Sequence, residues 1–407
     1  MPNVYRELVD QGLTFNKAYD VSSLCCPSRA QIFTGLYEHH TGVDENQVGL
    51  GRPSIVEAAH EAGYTTSLAG KYLNSWPCTP KREFDQWVSF SGEFNVGREY
   101  KNPTLNINGT LTKVPGYTTD ILASYTADFI QATPQDQPFL AFYTPYSPHL
   151  PANDARCAGF VVNPYRPPSW DEDTETDGKP AYLQRGPLTP SEITDNDQRF
   201  AKMTRASNCL DTSVETVLSS LGDRAQNTVV FYFSDNGYFY GEHRRWEKWA
   251  PYEEAHHVPF VVRYPAVITT PGSTDALVQN IDLAPTIADF AGFPWGADGV
   301  SLVPLLSGQV STVRTGALIE KCEGVTYPCS HEQRAGNQTV VPPLNGIVTD
   351  QYKYVEYWTG EKELYDLQAD PYEETNRAVV DPGPLAAVMD RFRRIERRLC
   401  QPPPPGF

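Results

Sequence analysis

The chain has 407 residues, 40% of them hydrophobic and 12% aromatic, with 33 Lys and Arg against 50 Asp and Glu for a formal net charge of −17. That length buries a sizeable core and points to two domains, and no apolar run is long enough to cross a bilayer. The acidic balance argues against non-specific binding to nucleic acid or anionic membranes, while a local basic pocket can still take an anionic substrate.

In chain order, short apolar runs alternate with helical patterns, which is the α/β signature. Val4–Gln11 reads as a helix. Ser28–Leu36 reads as a second, with Pro27 suited to its first turn and Ile32, Phe33 and Leu36 on one face. Cys25 then falls just ahead of a helix N-terminus, where free N–H groups and the macrodipole favour anions and lower a thiol pKa. Arg29 adds a fixed cation. Further helices are expected at Ser54–Glu61, Thr119–Ala132, Asn196–Leu221 and Leu283–Phe290. Strands are expected at Thr65–Ala69, Phe139–Tyr143, Thr228–Ser234 and Val258–Arg263. From Arg156 to Asp197 the chain is rich in Pro, Asp and Thr, which reads as a long ordered loop over a site. Beyond Gly308 the pattern changes to short antiparallel strands at Ala317–Glu320, Gly346–Thr349, Lys353–Tyr357 and Glu363–Asp366. An amphipathic helix follows at Leu385–Leu399, and Gln401–Pro405 is a tail. The expected domains are 1–308 and 309–407.

Eight cysteines are present, of which Cys322 and Cys329 close a short loop and are the best disulfide candidates. Sequons begin at Asn108 and Asn337. Together these favour an exported protein, secreted or lysosomal-like and glycosylated. Met1-Pro2-Asn3-Val4-Tyr5 has neither the basic nor the apolar region of a signal peptide, so a leader is expected to be missing from this chain.

The run Cys25-Cys26-Pro27-Ser28-Arg29-Ala30, closing with Thr34-Gly35, resembles the signature of the type I sulfatases. Gly63-Tyr64-Thr65-Thr66-Ser67-Leu68-Ala69-Gly70-Lys71-Tyr72-Leu73 resembles the second signature of that family. There Lys71 leaves a strand end, where open α/β folds place ligand groups, and the resemblance implies that it contacts sulfate. Many sulfatases carry a histidine two residues later. This chain has Leu73 then Asn74, a form similar to the N-acetylglucosamine-6-sulfatase branch, and Asn74 becomes a candidate donor. Pro145-Tyr146-Ser147-Pro148-His149-Leu150-Pro151 resembles the family's Pro-His-x-Pro turn, so His149 is expected to bind sulfate or protonate the leaving oxygen. Asp235-Asn236-Gly237 ends an apolar run with oxygen donors suited to a hard cation. His243, Lys248 and Tyr252-Glu253 follow in the family's order. Lys248 is expected to be a second cation, His243 stands open between site and loop packing, and His256 and His257 are read as structural.

The resemblance implies an alkaline-phosphatase-like fold: a large mixed sheet flanked by helices, then a small C-terminal α+β domain with an antiparallel sheet. It implies sulfuric ester hydrolysis, on an aryl sulfate or a sulfated sugar. Cys25 would be converted to formylglycine by a formylglycine-generating enzyme, and its hydrate would attack sulfur with one hydroxyl and expel sulfate through the other. Ca²⁺ or Mg²⁺ would be held by Asp235, Asn236 and the formylglycine at Cys25, with Arg29, Lys71 and Lys248 offsetting charge. The rivals are a formylglycine-type phosphodiesterase or phosphonate hydrolase, and an inactive sulfatase-derived binding protein. The family's first strand ends in two aspartates that ligate the metal. No Asp-Asp pair occurs here, so an incomplete N-terminus, a missing central strand and weakened metal binding are expected.

Overall fold

The computed structural model describes residues 1–74, 79–90, 100–152, 155–174, 177–322, 340–380, 382–383 and 386–399. In chain order the strands are β1 (Leu13–Tyr19), β2 (Thr65–Gly70), β3 (Gln86–Phe90), β4 (Thr104–Ile107), β5 (Thr110–Lys113), β6 (Phe139–Thr144), β7 (Val230–Phe233), β8 (Phe239–Tyr240), β9 (Trp246–Glu247), β10 (Phe260–Arg263) and β11 (Gly272–Gln279). A C-terminal group follows: β12 (Ala317–Lys321), β13 (Leu344–Val348), β14 (Tyr352–Tyr357) and β15 (Lys362–Asp366).

Where one large mixed sheet is expected, two hydrogen-bonded sheets are found, ordered β5-β4-β3-β2-β6 and β11-β1-β10-β7. β2 runs parallel to β3 and β6, and β1 runs parallel to β11 but antiparallel to β10. β6 and β7 end their respective sheets, and every residue in both is only partly buried despite an apolar sequence. Phe139, Ala141 and Tyr143 share one apolar cluster with Val230 and Tyr232, and Phe142 shares another with Phe231 and Phe233. The two sheets therefore lie edge to edge, packed through side chains, with one backbone side of each strand unpaired among the described residues.

Helices cover both faces. Thr118–Ala132 and Pro190–Ser219 pack on one side, and Leu283–Ala291 and Cys25–Thr34 on the other. Asp211, on the long helix, accepts from the backbone N–H of Asn3 and Val4 at 2.9 Å each, which caps the short helix Pro2–Val4. The C-terminal strands form a separate antiparallel sheet, β12-β13-β14-β15. It docks through Glu363, which accepts from Tyr357 and Tyr365 Oη at 2.5 Å each and from Tyr252. Lys353, fully buried, reaches Glu253 at 2.7 Å and Glu373 at 2.9 Å. Leaving any of these charges without its partner in the interior costs several kcal/mol, so the sheet is held to the segment that follows Lys248.

Several boundaries differ from the expected ones. The cysteine helix runs Cys25–Thr34, so Cys25 lies in its first turn rather than ahead of it. Val4–Gln11 divides into Pro2–Val4 and a wider π-turn, Tyr5–Val9. The long helix begins at Pro190, inside the expected loop, because Thr189 and Glu192 form a capping box. Cys157 and Cys209 form a disulfide that joins that loop to the long helix. The expected pairing of Cys322 with Cys329 involves Cys329, outside the described residues, as is the Asn337 sequon.

Candidate active site

Cys25 opens a helix whose ten residues are all buried, with Leu24 at the N-cap and no capping side chain. A remote residue supplies one cap: Asn46 Oδ1 accepts from Cys26 N at 3.0 Å. Asn280 Nδ2 donates to Ser28 Oγ at 3.0 Å and Gln31 Oε1 at 2.9 Å, which fixes the helix rotation. Ser28 Oγ in turn donates to the Asp235 carbonyl at 2.5 Å, tying the helix start to the end of β7.

Around Cys25 the polar groups converge. Lys248 Nζ lies 3.0 Å from Cys25 Sγ and 3.0 Å from Asn236 Oδ1. Arg29 Nη1 donates to Asp235 Oδ2 at 2.6 Å, and its Nη2 to Asn74 Oδ1 at 2.7 Å. Cys26 Sγ accepts from Asn74 N at 3.0 Å, which holds that amide in place. Lys71 follows β2 at Gly70, whose φ of 132° and contact with Thr144 O leave no room for a Cβ. Lys71 Nζ then lies 5.2 Å over the Tyr146 ring, which is 4.8 Å from the His149 ring. His149 Nδ1 is 2.6 Å from the Leu150 carbonyl. A carbonyl only accepts, so Nδ1 carries a proton and Nε2 is left to face Cys25.

The electrostatics follow from this clustering. Burial alone would raise the Cys25 thiol, yet Lys248, Lys71 and His149 together hold it well below its ordinary value. Burial lowers Lys71, and it lowers His149 against the opposing pull of Cys25. Lys248 is raised, because Cys25 and Asp235 outweigh its burial. Asp235 is held down at about 2 despite burial by Arg29, Lys71 and Lys248. The site therefore carries fixed cations around one reactive atom, which is the arrangement that binds and activates an oxyanion ester.

Residues 1–293 match the sulfatase family model, and residues 241–397 match the model described as N-sulphoglucosamine sulphohydrolase, C-terminal. The chain belongs to the sulfatase family. Human N-acetylglucosamine-6-sulfatase is 31% identical over an alignment covering 97% of this chain and 80% of that protein. The N-acetylglucosamine-6-O-sulfatase of Bacteroides thetaiotaomicron is 28% identical, covering 92% of this chain and 77% of its own. In fold, the sulfatase matches a protein solved with its substrate D-glucosamine-2-N,6-O-disulfate, with a TM-score of 0.79, 24% identity and coverage of 98% and 92%. It also matches the phosphonate monoester hydrolase of Agrobacterium radiobacter, with a TM-score of 0.75, 22% identity and coverage of 98% and 90%. The expected fold is the one found.

Of the residues singled out from this sulfatase's sequence, the structure brings Cys25, Arg29, Lys71, Asn74, His149, Asp235, Asn236 and Lys248 together. His243 is not among them. It is buried, with Nδ1 2.6 Å from Glu172 and Nε2 3.3 Å from Glu254, and its ring stacks on Tyr252 at 3.9 Å. The metal expectation fits less well. Asp235 Oδ2 and Asn236 Oδ1 already face Arg29 and Lys248, and no group of three or more His, Cys, Asp or Glu side chains among the described residues could hold an ion. Two engaged oxygens fall short of the six or more that Ca²⁺ takes.

Four residues at or beside the site escaped the sequence reading. Asn46 lies outside the motifs, and Cys26 and Tyr146, though inside two of them, act through backbone and ring contacts that the motifs do not announce. Asp20 directly follows β1, fully buried, and feels the charges of Asp235 and Lys248.

Proposed function

We propose that this sulfatase cleaves the sulfate ester of a sulfated amino sugar, with an aryl sulfate as the minimal substrate, and that Cys25 is converted to formylglycine by a maturation enzyme. The observation that carries this is Lys248 Nζ 3.0 Å from Cys25 Sγ at the head of the helix, with Lys71 and His149 beside it. The names of the relatives point to the 6-sulfate of N-acetylglucosamine as the ester. The Cys157–Cys209 disulfide supports an oxidising compartment, and we place the protein outside the cytoplasm. Among the described residues no helix is long and apolar enough to cross a membrane. The division into 1–308 and 309–407 is part of the same proposal.

The aldehyde hydrate of formylglycine would supply one hydroxyl to attack sulfur and a second whose deprotonation expels sulfate. The chain's own groups do the remaining work. Lys248 and Lys71 hold the sulfate oxygens as charge develops. Arg29 keeps Asp235 and Asn74 in place while adding a third cation. His149, with its own proton held on Nδ1, takes the proton of the attacking hydroxyl at Nε2 and passes it to the leaving oxygen. Because Asp235 and Asn236 alone do not complete a metal shell, no step runs through Ca²⁺ or Mg²⁺.

The test is hydrolysis of 4-nitrophenyl sulfate and of glucosamine 6-sulfate by protein co-produced with a formylglycine-generating enzyme, with Ca²⁺ present and Cys25→Ala as control. Turnover that disappears in Cys25→Ala supports the assignment. Full activity in that variant refutes it, and a faster rate on the matched aryl phosphate would move the chain to the phosphoryl-transfer class.

A further inference from the structure

One side of the active site is built by the long helix Pro190–Ser219 and the β8–β9 hairpin, and neither contributes to the sulfate-binding groups described above. Arg199 from the helix and Glu247 from β9 face each other across this wall, 3.6 Å apart, each with 33% of its side chain exposed. Arg199 Nη1 also donates to Tyr238 Oη at 3.3 Å. Both contacts are long, so each group keeps bonding capacity to spare. Glu247 immediately precedes Lys248, and Tyr238 follows Asn236 by two residues, so the pair borders the group that touches Cys25.

Behind the pair lies a continuous aromatic surface. Tyr238 and Tyr240 have ring centroids 4.9 Å apart, and Phe200 meets Tyr240 edge-on at 5.0 Å. Tyr165, 41% exposed, stacks on Phe200 at 5.2 Å. Tyr240 Oη reaches Met203 Sδ at 3.4 Å, and Met203 packs with Tyr146, the ring beneath Lys71. The wall thus runs from the cation expected to bind sulfate out to solvent.

The backbone points the same way. Glu247 and Trp249 both adopt left-handed φ, at 72° and 88°. For residues with a Cβ this conformation is strained, and such strain collects at functional sites. The two left-handed residues flank Lys248, so the chain reverses around it, with Lys248 buried and both neighbours partly exposed.

We propose that Arg199 and Glu247, backed by the Tyr165–Phe200–Tyr240 wall, form the subsite that reads the hydroxyl groups of the sugar ring carrying the sulfate ester. Arg199 donates to one ring oxygen and Glu247 accepts from a neighbouring hydroxyl. The aromatic rings take the apolar face of the sugar. A site built to pair hydroxyls discriminates strongly against substrates that lack them, because its own polar groups are otherwise left unpaired. The inference rests on the sulfated-sugar reading above.

The experiment compares Arg199→Ala and Glu247→Gln with the parent and with Lys202→Ala, an exposed change on the same helix. The readout is the ratio of kcat/KM for glucosamine 6-sulfate to that for 4-nitrophenyl sulfate. Arg199→Ala and Glu247→Gln should lower this ratio tenfold or more, and Lys202→Ala should leave it in place. An unchanged ratio in both pair variants overturns the subsite. A second measurement is independent of turnover: binding of glucosamine 6-sulfate to Cys25→Ser protein by ligand-observed NMR, with and without Arg199→Ala. A tenfold loss of affinity supports the subsite even if the parent cleaves neither ester, in which case only the functional reading falls. Equal affinities, or no binding to Cys25→Ser at all, overturn it.

Discussion

Asp20 allows a prediction that runs against the intuition that buried ion pairs stabilise. Its carboxylate is fully buried directly after β1. His256 Nδ1 lies 2.6 Å from Oδ1 but off the bonding direction, and neither carboxylate oxygen gains a hydrogen bond. Burial pushes the acid up to about 6 from its ordinary 3.8, with His256 recovering only part of the cost. Below 3.8 both folded and unfolded chains hold the proton. Between 3.8 and 6 the unfolded chain has released it and the folded chain has not, so stability falls as pH rises through this window. Above 6 the deficit is constant, and a shift of that size corresponds to about 3 kcal/mol at most.

Asp20→Asn keeps the shape and removes the ionisation. We expect the variant to match the parent near pH 4 and to exceed it by about 1–3 kcal/mol at pH 7.5. The assay is urea or thermal unfolding of both proteins at pH 4.5, 6 and 7.5, read as the difference between them. A difference that does not move with pH, or a variant less stable than the parent at pH 7.5, refutes the reasoning, because it would mean that His256 fully compensates the buried charge.

Other expectations follow from the same geometry. Lys248→Ala removes the cation nearest Cys25 and should lower kcat on an aryl sulfate by about 10²–10³-fold, the usual cost of one preorganised charge donor, measured in steady-state assays. Calorimetric titration of the chain with Ca²⁺ should show binding no tighter than about millimolar, since Asp235 and Asn236 are already engaged; a micromolar site would contradict this. His243 is raised to about 9 by Glu254 and Glu172, against burial and Lys179. The stability it contributes is complete below its ordinary 6.5 and is lost as pH rises through 9, and imidazole NMR should place its titration near the upper value.

The chemistry was more legible in the sequence than the scaffold. Arg29, Lys71, His149, Asp235 and Lys248 each follow a motif of small residues, prolines or a strand end, and such local patterns survive in one dimension. The scaffold signals that failed had local causes. β1 was missed because its register to β11 shifts between Phe15 and Lys17, which breaks the period-two alternation that marks a strand. β11 was missed because its first half is largely exposed and only its second half is buried. The start of the long helix could have been read from Thr189-Pro190-Ser191-Glu192, a capping box with proline at the first helical position. The supports of the site, Asn46 and Asn280, could not. Their partners Cys26 and Gln31 lie 20 and 249 residues away, and an asparagine carries no mark of the backbone or side chain it will meet.

The charge balance around Cys25 explains why the unmodified cysteine and the working nucleophile make different demands. The depressed thiol favours the thiolate, and in that form Cys25 and Asp235 stand against Arg29, Lys71 and Lys248. That cluster is nearly self-neutralised, which is why Lys248 spends a donor on Sγ. Replacing the thiolate by a neutral hydrate would free that donor and leave two positive charges unopposed. A sulfate monoester brings one negative charge and a deprotonated hydroxyl a second, so the excess matches the reacting pair rather than the resting enzyme. The rest of the chain is acidic, at −17 overall, so the pocket is a cationic well in a negative surface. Such a surface disfavours polyanions approaching at large, and the anionic ester is selected by the buried cations at close range.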